Sequence, residues 1–322
     1  MPHFVRRALV AGFALALAAP AALAQTWPAK QIRIIVPYTP GGSSDIIARA
    51  IQQPLQDALK QTVIVENKPG ANGNTGTDFV AKSPPDGYTI LLCDVGALAI
   101  TSSVYSKLPF DPAKDLVGIT MLAYSPHLLV VHPSVAANNL KELVAYSKTG
   151  KLDFAVTAIG SAPHLAGVAV EKATGAKWVY IPYKGGSQAI GDTVAGQTQV
   201  LMNGMLATLP FVQSGKLKVL GVSKATRVPL LANVPTIAEQ GVTGFESGTW
   251  QGVLVPASTP PAIVARLSTE LTKIIRSPDV RSRLTVQGAE VYTMTPAEFV
   301  PFFEGERKRW AGVVAKGGVK LE

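Results

Sequence analysis

The chain contains a single cysteine, Cys93, so no intrachain disulfide can form and stability must come from packing. A chain of about 300 residues can bury a core large enough to need no such staple. Cys93 itself lies in an apolar strand-like run and reads as an inert, buried thiol. Histidine is scarce as well. Apart from His3 there are only His127, His132 and His164, without the H-x-H or H-E-x-x-H spacing that a metal site would need. No metal and no cofactor is expected. A Walker A loop, a G-x-G-x-x-G turn and a G-x-S-x-G elbow are all missing, which argues against ATP, dinucleotides and the hydrolase elbow.

Long apolar runs are also absent, except at the start. Arg6 and Arg7 precede the apolar and glycine stretch Ala8 to Ala19, which Pro20 and then Ala22-Leu23-Ala24 follow. This order of positive, apolar and small-x-small regions reads as a secretory signal over residues 1–24, cleaved after Ala24. The apolar stretch falls short of the roughly 20 residues that a spanning helix requires. A soluble protein exported to the periplasm is expected. The formal net charge of +9 falls by two when Arg6 and Arg7 leave with the leader. The remaining cations are scattered apart from Arg307-Lys308-Arg309, which reads as a solvated helix face. The excess favours anionic ligands. No nucleic-acid partner is expected for an exported chain.

Strand-like and helix-like segments alternate almost throughout. Strands are expected at 31–36, 62–66, 88–93, 117–123, 127–132, 153–157, 178–182, 199–203, 217–222, 250–255 and 288–292. Helices are expected at 44–60, 75–82, 96–105, 139–148, 162–173, 186–196, 204–213, 260–276, 279–286 and 295–315. Many strands are unbroken apolar runs, as when helices cover both faces of a sheet. The chain is therefore of the α/β class. Pro54 falls inside the first helix and is expected to kink or end it. The chain is expected to cross between lobes near 124–127 and to return near 246–252. That gives lobe 1 as 25–125 plus 251–322, and lobe 2 as 126–250.

Two segments share one grammar of strand, small-residue turn and helix start: Ile32 to Asp45, and Phe154 to His164. The first turn of a helix leaves backbone N–H groups free, and the helix dipole favours an anion there. Two such turns suggest a carboxylate held from both sides. In the first, Gly41 and Gly42 allow close backbone approach and Ser43 or Ser44 can cap the helix, while Asp45 reads as structural. A further glycine turn, Glu66 to Gly76, spaces its glycines G-x-x-G-x-x-G. There Glu66 and Asn67 order the loop, and Ala71 and Asn72 can reach a cleft. In Ile181 to Ser187, Tyr183 can form an aromatic wall, and Lys184 either supplies charge or is solvated. Ser161 and His164 lie three residues apart and could be a nucleophile and its base. Such a pair needs a third, orienting group and an oxyanion hole.

In this order and spacing, Pro37–Asp45, Val65–Gly73, Gly160–His164, Ile181–Gly186 and Trp250–Pro256 followed by Thr259-Pro260 resemble the Bug-type substrate-binding proteins of tripartite tricarboxylate transporters. The resemblance covers essentially the whole mature chain. It implies a two-lobed periplasmic-binding-protein (Venus-flytrap) fold, each lobe a sheet flanked by helices, closing on a small organic acid. Carried over by position, ligand contacts come from Tyr38, Gly41, Gly42 and Ser43 on one lobe, and from Thr157, Ser161, His164, Tyr183, Gly186 and Asn203 on the other. The resemblance also implies delivery to membrane permease subunits, with a monomer as the default state. Two positions depart from the family pattern: Asp94 replaces a small hydroxyl residue, and Asn203 replaces an acid. Asp94 either caps the helix beginning near Gly96 or pairs with an amino or hydroxyl group of the ligand, away from its carboxylate. Two other readings stay open: a ligand sensor for a membrane kinase, and an exported hydrolase using Ser161 and His164.

Overall fold

The computed structural model describes residues 27–318. The expected leader and its cleavage after Ala24 lie outside them. The apolar run Ile32–Val36 forms β1, and the turn after it opens helix α1, Ser43–Leu59. Strand β2, Val63–Asn67, returns parallel to β1, with Ile34 opposite Val65. Helix α2, Asn74–Ala81, leads to β3, Thr89–Asp94, which lies parallel to β1 on its other side. Helix α3, Val95–Val104, follows at once. Strands β2, β1 and β3 are mutually parallel, and β1 and β3 are apolar on both faces as in a sheet covered on both sides.

Strand β4, Leu116–Val131, runs 16 residues and belongs to both halves of the molecule. Past it come α4, Leu140–Ser147, and β5, Asp153–Val156, then α5, Ala162–Thr174, and β6, Val179–Pro182. Helix α6, Gly186–Val194, precedes β7, Val200–Gly204, which leads into α7, Met205–Gln213, and β8, Lys218–Val222. The chain then returns through β9, Gly248–Pro256, to α8, Pro261–Arg276, and α9, Pro278–Thr285. The short β10, Glu290–Val291, and the long α10, Pro296–Gly317, close the fold. No described helix is long and apolar enough to cross a membrane.

Strand order is β2-β1-β3-β9-β4-β7-β5-β6, with β8 and β10 also on β4. The first half of β4 pairs with β9 as far as Pro126 opposite Gly248, and the second half pairs with β7 and β8 from His127 onward. The sequence suggested two strands here, 117–123 and 127–132. They are one, because Pro126 falls where the strand changes partners and so breaks neither ladder.

Pro54 does not end α1, one of the two expected outcomes. The helix runs through it to Leu59, and the Ala50 carbonyl that loses its N–H partner is approached by Arg283 Nη2 at 3.4 Å. The halves have their own core clusters, with Leu206, Ala162 and Leu165 of the second half packing into those of the first. Ile34, Ile51, Leu55, Ile90, Leu122 and Leu267 are fully buried in the first, and Leu129, Phe154, Val200 and Met202 in the second. Between them, His127, Ser223 and Ser247 knit the crossing strands together. Ser223 Oγ accepts the His127 amide at 2.7 Å and donates to the Ser247 carbonyl, while Ser247 Oγ meets His127 Nδ1 at 2.8 Å.

Candidate functional site

The turn between β1 and α1 is stapled from within. Asp45 Oδ2 accepts the Gly41 amide at 2.9 Å and Arg49 Nε at 2.9 Å, and Asp45 Oδ1 accepts Asn67 Nδ2 at 3.0 Å. Burial alone would raise the Asp45 carboxyl, but these bonds outweigh it and hold the pKa below the usual value. Gly41 has φ +84°, in the left-handed region suited to glycine. Gly42 is the N-cap of α1 and no side chain caps this helix. Its first-turn amides are therefore open to whatever lies in front of them. Helix α6 has the same character, since Gly185 is its N-cap and again no side chain caps it.

The turn at 160–164 behaves differently from the sequence expectation of a second open anion pocket. Ser161 Oγ accepts the His164 amide at 3.3 Å and donates to the Ala158 carbonyl at 2.7 Å, while the Gly160 amide donates to His164 Nδ1 at 3.1 Å. Pro163 contributes no N–H. The start of α6 after Gly185 is a helix start on this lobe that no side chain caps. Burial lowers the His164 pKa to about 4, so its ring is a neutral structural acceptor. Ser161 Oγ and His164 Nδ1 are both engaged with backbone groups, and no nucleophile–base pair forms between them.

A cavity between the lobes holds most of the residues singled out from the sequence. It brings together Tyr38, Gly42, Ser43, Asn72, Asp94, Thr157, Ser161, Gly186 and Asn203. The cavity spans about 450 Å³, part of it open to solvent. That is room for a few waters or one small metabolite. Four of the named residues lie elsewhere. The Gly41 amide is taken by Asp45, Ala71 is exposed, and the His164 ring packs edge-on against Tyr180 at 4.6 Å. Tyr183 donates its hydroxyl to Asp192 at 2.7 Å and forms no wall of the cavity.

The lining includes five residues not singled out: Ser44, Ala97, Pro163, Thr249 and Gln251. Ser44 was read only as a possible cap; instead its Oγ donates to Gln251 Oε1 at 2.7 Å. A signal for Gln251 was present, because it is a polar residue inside the apolar strand 250–255 and is buried there. Tyr38 rests against Gly73 (φ +89°), where a Cβ would stand 3.0 Å from the phenol oxygen.

Asp94 ends β3 and is only 6% exposed. Its Oδ1 accepts the Gly96 amide at 3.0 Å and the Trp250 amide at 3.2 Å. It therefore caps α3 and faces the cavity at once. Burial pushes its pKa up to about 7, against the pull of the amides of Gly96, Trp250 and Ala97. Among the described residues no lysine, arginine or histidine lines the cavity. The lobes touch across its rim, through Thr39 Oγ1 and Ser187 Oγ at 2.8 Å and through Asn72 Nδ2 donating to the Gly160 carbonyl at 3.2 Å. The lobes thus meet across the cleft.

The profile of the tripartite tricarboxylate transporter family receptor matches residues 47–319. The chain belongs to this receptor family. Protein BugT of Bordetella pertussis is 38% identical over 309 residues, covering 95% of this chain and 94% of BugT. Among solved structures, the periplasmic binding protein BugD superposes with a TM-score of 0.88 at 32% identity, covering 92% of this chain and all of that one. The R. palustris protein Rpa4515, solved with adipate, has a TM-score of 0.85 at 32% identity, covering 91% and 99%. The receptor is thus a periplasmic solute-binding protein with the two-lobed α/β fold of its family.

Proposed function

We propose that this receptor clasps the carboxylate of a small metabolite between the uncapped starts of α1 and α6, one from each lobe, and presents the closed form to permease subunits of a tripartite transporter. The observation that carries this is the convergence of Gly42-Ser43 and Gly186 on one cavity that has no cationic side chain among the described residues. Helix dipoles and free amides then supply the attraction that Arg or Lys would otherwise supply. Hydrogen bonds to a charged group contribute about 1.5–3 kcal/mol each. Three or four of them, less the cost of ordering, reach the roughly 8 kcal/mol of micromolar binding. Adipate in the related R. palustris protein agrees with a carboxylate-bearing ligand.

The mature receptor begins at Gln25, after cleavage behind Ala24, and works as a monomer without nucleic acid. Its lobes are 25–125 plus 251–322 and 126–250, hinged where Ser125 and Pro126 face Thr249 and Gly248. The test is a thermal-shift and calorimetric screen of mono-, di- and tricarboxylates and amino acids. At 100 times its dissociation constant a true ligand adds about 2.7 kcal/mol to stability. A panel in which no carboxylate stabilises the protein would refute the assignment.

A further inference from the structure

We infer that Asp94 makes this cleft selective for carboxylates that also carry an ammonium group, in preference to plain di- and tricarboxylates. The inference rests on the carboxylate clasp proposed above and assigns what lies at the other end of the ligand. Asp94 is a buried carboxylate on the cavity wall, oriented by two amides on the same oxygen. Among the described residues nothing in the cavity lining carries positive charge.

The titratable groups around Asp94 do not supply charge compensation either. Tyr38 and Cys93 are both held neutral, by burial first and then by the charge of Asp94 itself. Glu306, on α10, adds negative charge from behind. It is already engaged by Arg309, Nε to Oε1 at 2.9 Å and Nη2 to Oε2 at 2.8 Å, and by Trp310 Nε1 at 3.0 Å.

A buried carboxylate with no counter-charge is unfavourable. A ligand ammonium beside it removes that penalty, whereas a second ligand carboxylate beside it adds like-charge repulsion in a low-dielectric space. The cavity is therefore polarised, with open amides for an anion at the helix starts and an acceptor-only side chain at the end of β3.

The test uses matched pairs that differ only in the amino group, measured by calorimetry on the full mature protein at pH 8: L-aspartate with succinate, L-alanine with propionate, and 4-aminobutyrate with butyrate. In at least one pair the amino member should bind about 30-fold tighter or more, the scale of a desolvated charge pair. Asp94→Asn keeps the cap and should abolish that difference while leaving the amino-free member bound as well or better. Equal binding within every pair would overturn the inference, as would an undiminished amino preference in Asp94→Asn. So would succinate binding that strengthens at pH 5 only when Asp94 is present, since Asp94 would then act as a protonated donor to a second carboxylate. The pair comparison in the unmodified protein stands even if the variant folds poorly. If no carboxylate of either kind binds, the clasp itself fails, which is a different result from equal binding within the pairs.

Discussion

Replacing Asp94 with Asn should raise the stability of the empty receptor at pH 8 and do much less at pH 5. In the folded chain the Asp94 pKa is about 7, against 3.8 for the free side chain. The folded state therefore holds this proton more tightly than the unfolded state. The resulting destabilisation is absent below about pH 4, grows as pH rises, and is complete above pH 7. Between pH 5 and pH 8 it changes by about 3 kcal/mol, at about 1.4 kcal/mol per pH unit until the folded pKa is passed. Asn caps helices as well as Asp does, so the bond from the Gly96 amide survives the substitution. Its amide N–H groups bring a desolvation cost of about 1–3 kcal/mol, but that cost is the same at both pH values. The difference in Tm between variant and parent should therefore widen by about 6 °C from pH 5 to pH 8. Differential scanning calorimetry of both proteins across that range measures it. Melting curves that stay parallel with pH would show that Asp94 ionises as an ordinary exposed carboxylate, and the charge argument would fall.

Closure can be blocked at one atom. A Cβ on Gly185 would stand 2.1 Å from Thr39 Oγ1 and 2.8 Å from the Thr39 amide across the cleft. Gly185→Ala should thus weaken ligand binding at least ~10-fold, with the melting temperature of the empty protein nearly unchanged; parental affinity by calorimetry would contradict this. A Cβ on Gly118 would lie 2.1 Å from the Phe299 ring, so Gly118→Ala should destabilise by about 1–3 kcal/mol or more, and Phe299→Leu should recover part of that in urea titrations. His127 and His164 are kept neutral by burial, with pKa values lowered to about 3 and about 4. Below pH 6.5 the unfolded chain binds protons that these sites refuse, so stability is lost as pH falls, by about 1.4 kcal/mol per unit for each histidine. His164→Gln should remove one such contribution from the slope between pH 6 and pH 4.5, and an unchanged slope in urea midpoints would refute it.

The α/β class and most element limits were legible because they depend on local pattern. Helix α1 begins at Ser43 and α5 at Ala162, within a residue of where the turn chemistry puts them. What was lost depends on partners far away in the chain. Nothing local says that Pro126 joins two ladders, because the join is made by Gly248, over a hundred residues later. Tyr183 looks like a cleft aromatic until α6 brings Asp192 under its hydroxyl. The Gly160–His164 turn has the letters of an anion site, and its own Ser161 and His164 engage two of its amides, those of His164 and Gly160. Gln251 and Thr249 reach the cavity only because the return strand β9 lies between β3 and β4. Asp94 was readable, since a carboxylate ending an inner strand is placed at the mouth of the sheet whatever else the fold does.

The polar contacts at the rim add little to the apolar packing of Ala162, Leu165 and Leu206 against lobe 1. Thr39 with Ser187 and Asn72 with Gly160 are single neutral hydrogen bonds, worth about 1 kcal/mol each. The Lys224–Glu290 pair at 2.5 Å is partly exposed, and pairs of that kind contribute about 0–1 kcal/mol. A ligand changes this balance only through contacts that the open form lacks. In the proposed clasp the amides of α1 and α6 supply such contacts, because they belong to different lobes and one carboxylate engages both only when the lobes meet. Asp94 adds a contact of the opposite sign on the α1 side. A ligand with both charges would then be fixed at two points, and its carboxylate would still have to draw α6 in. Shifting a two-state equilibrium from 1:99 to 99:1 needs about 5.5 kcal/mol of differential affinity. Two or three charged hydrogen bonds made only on closure supply that amount.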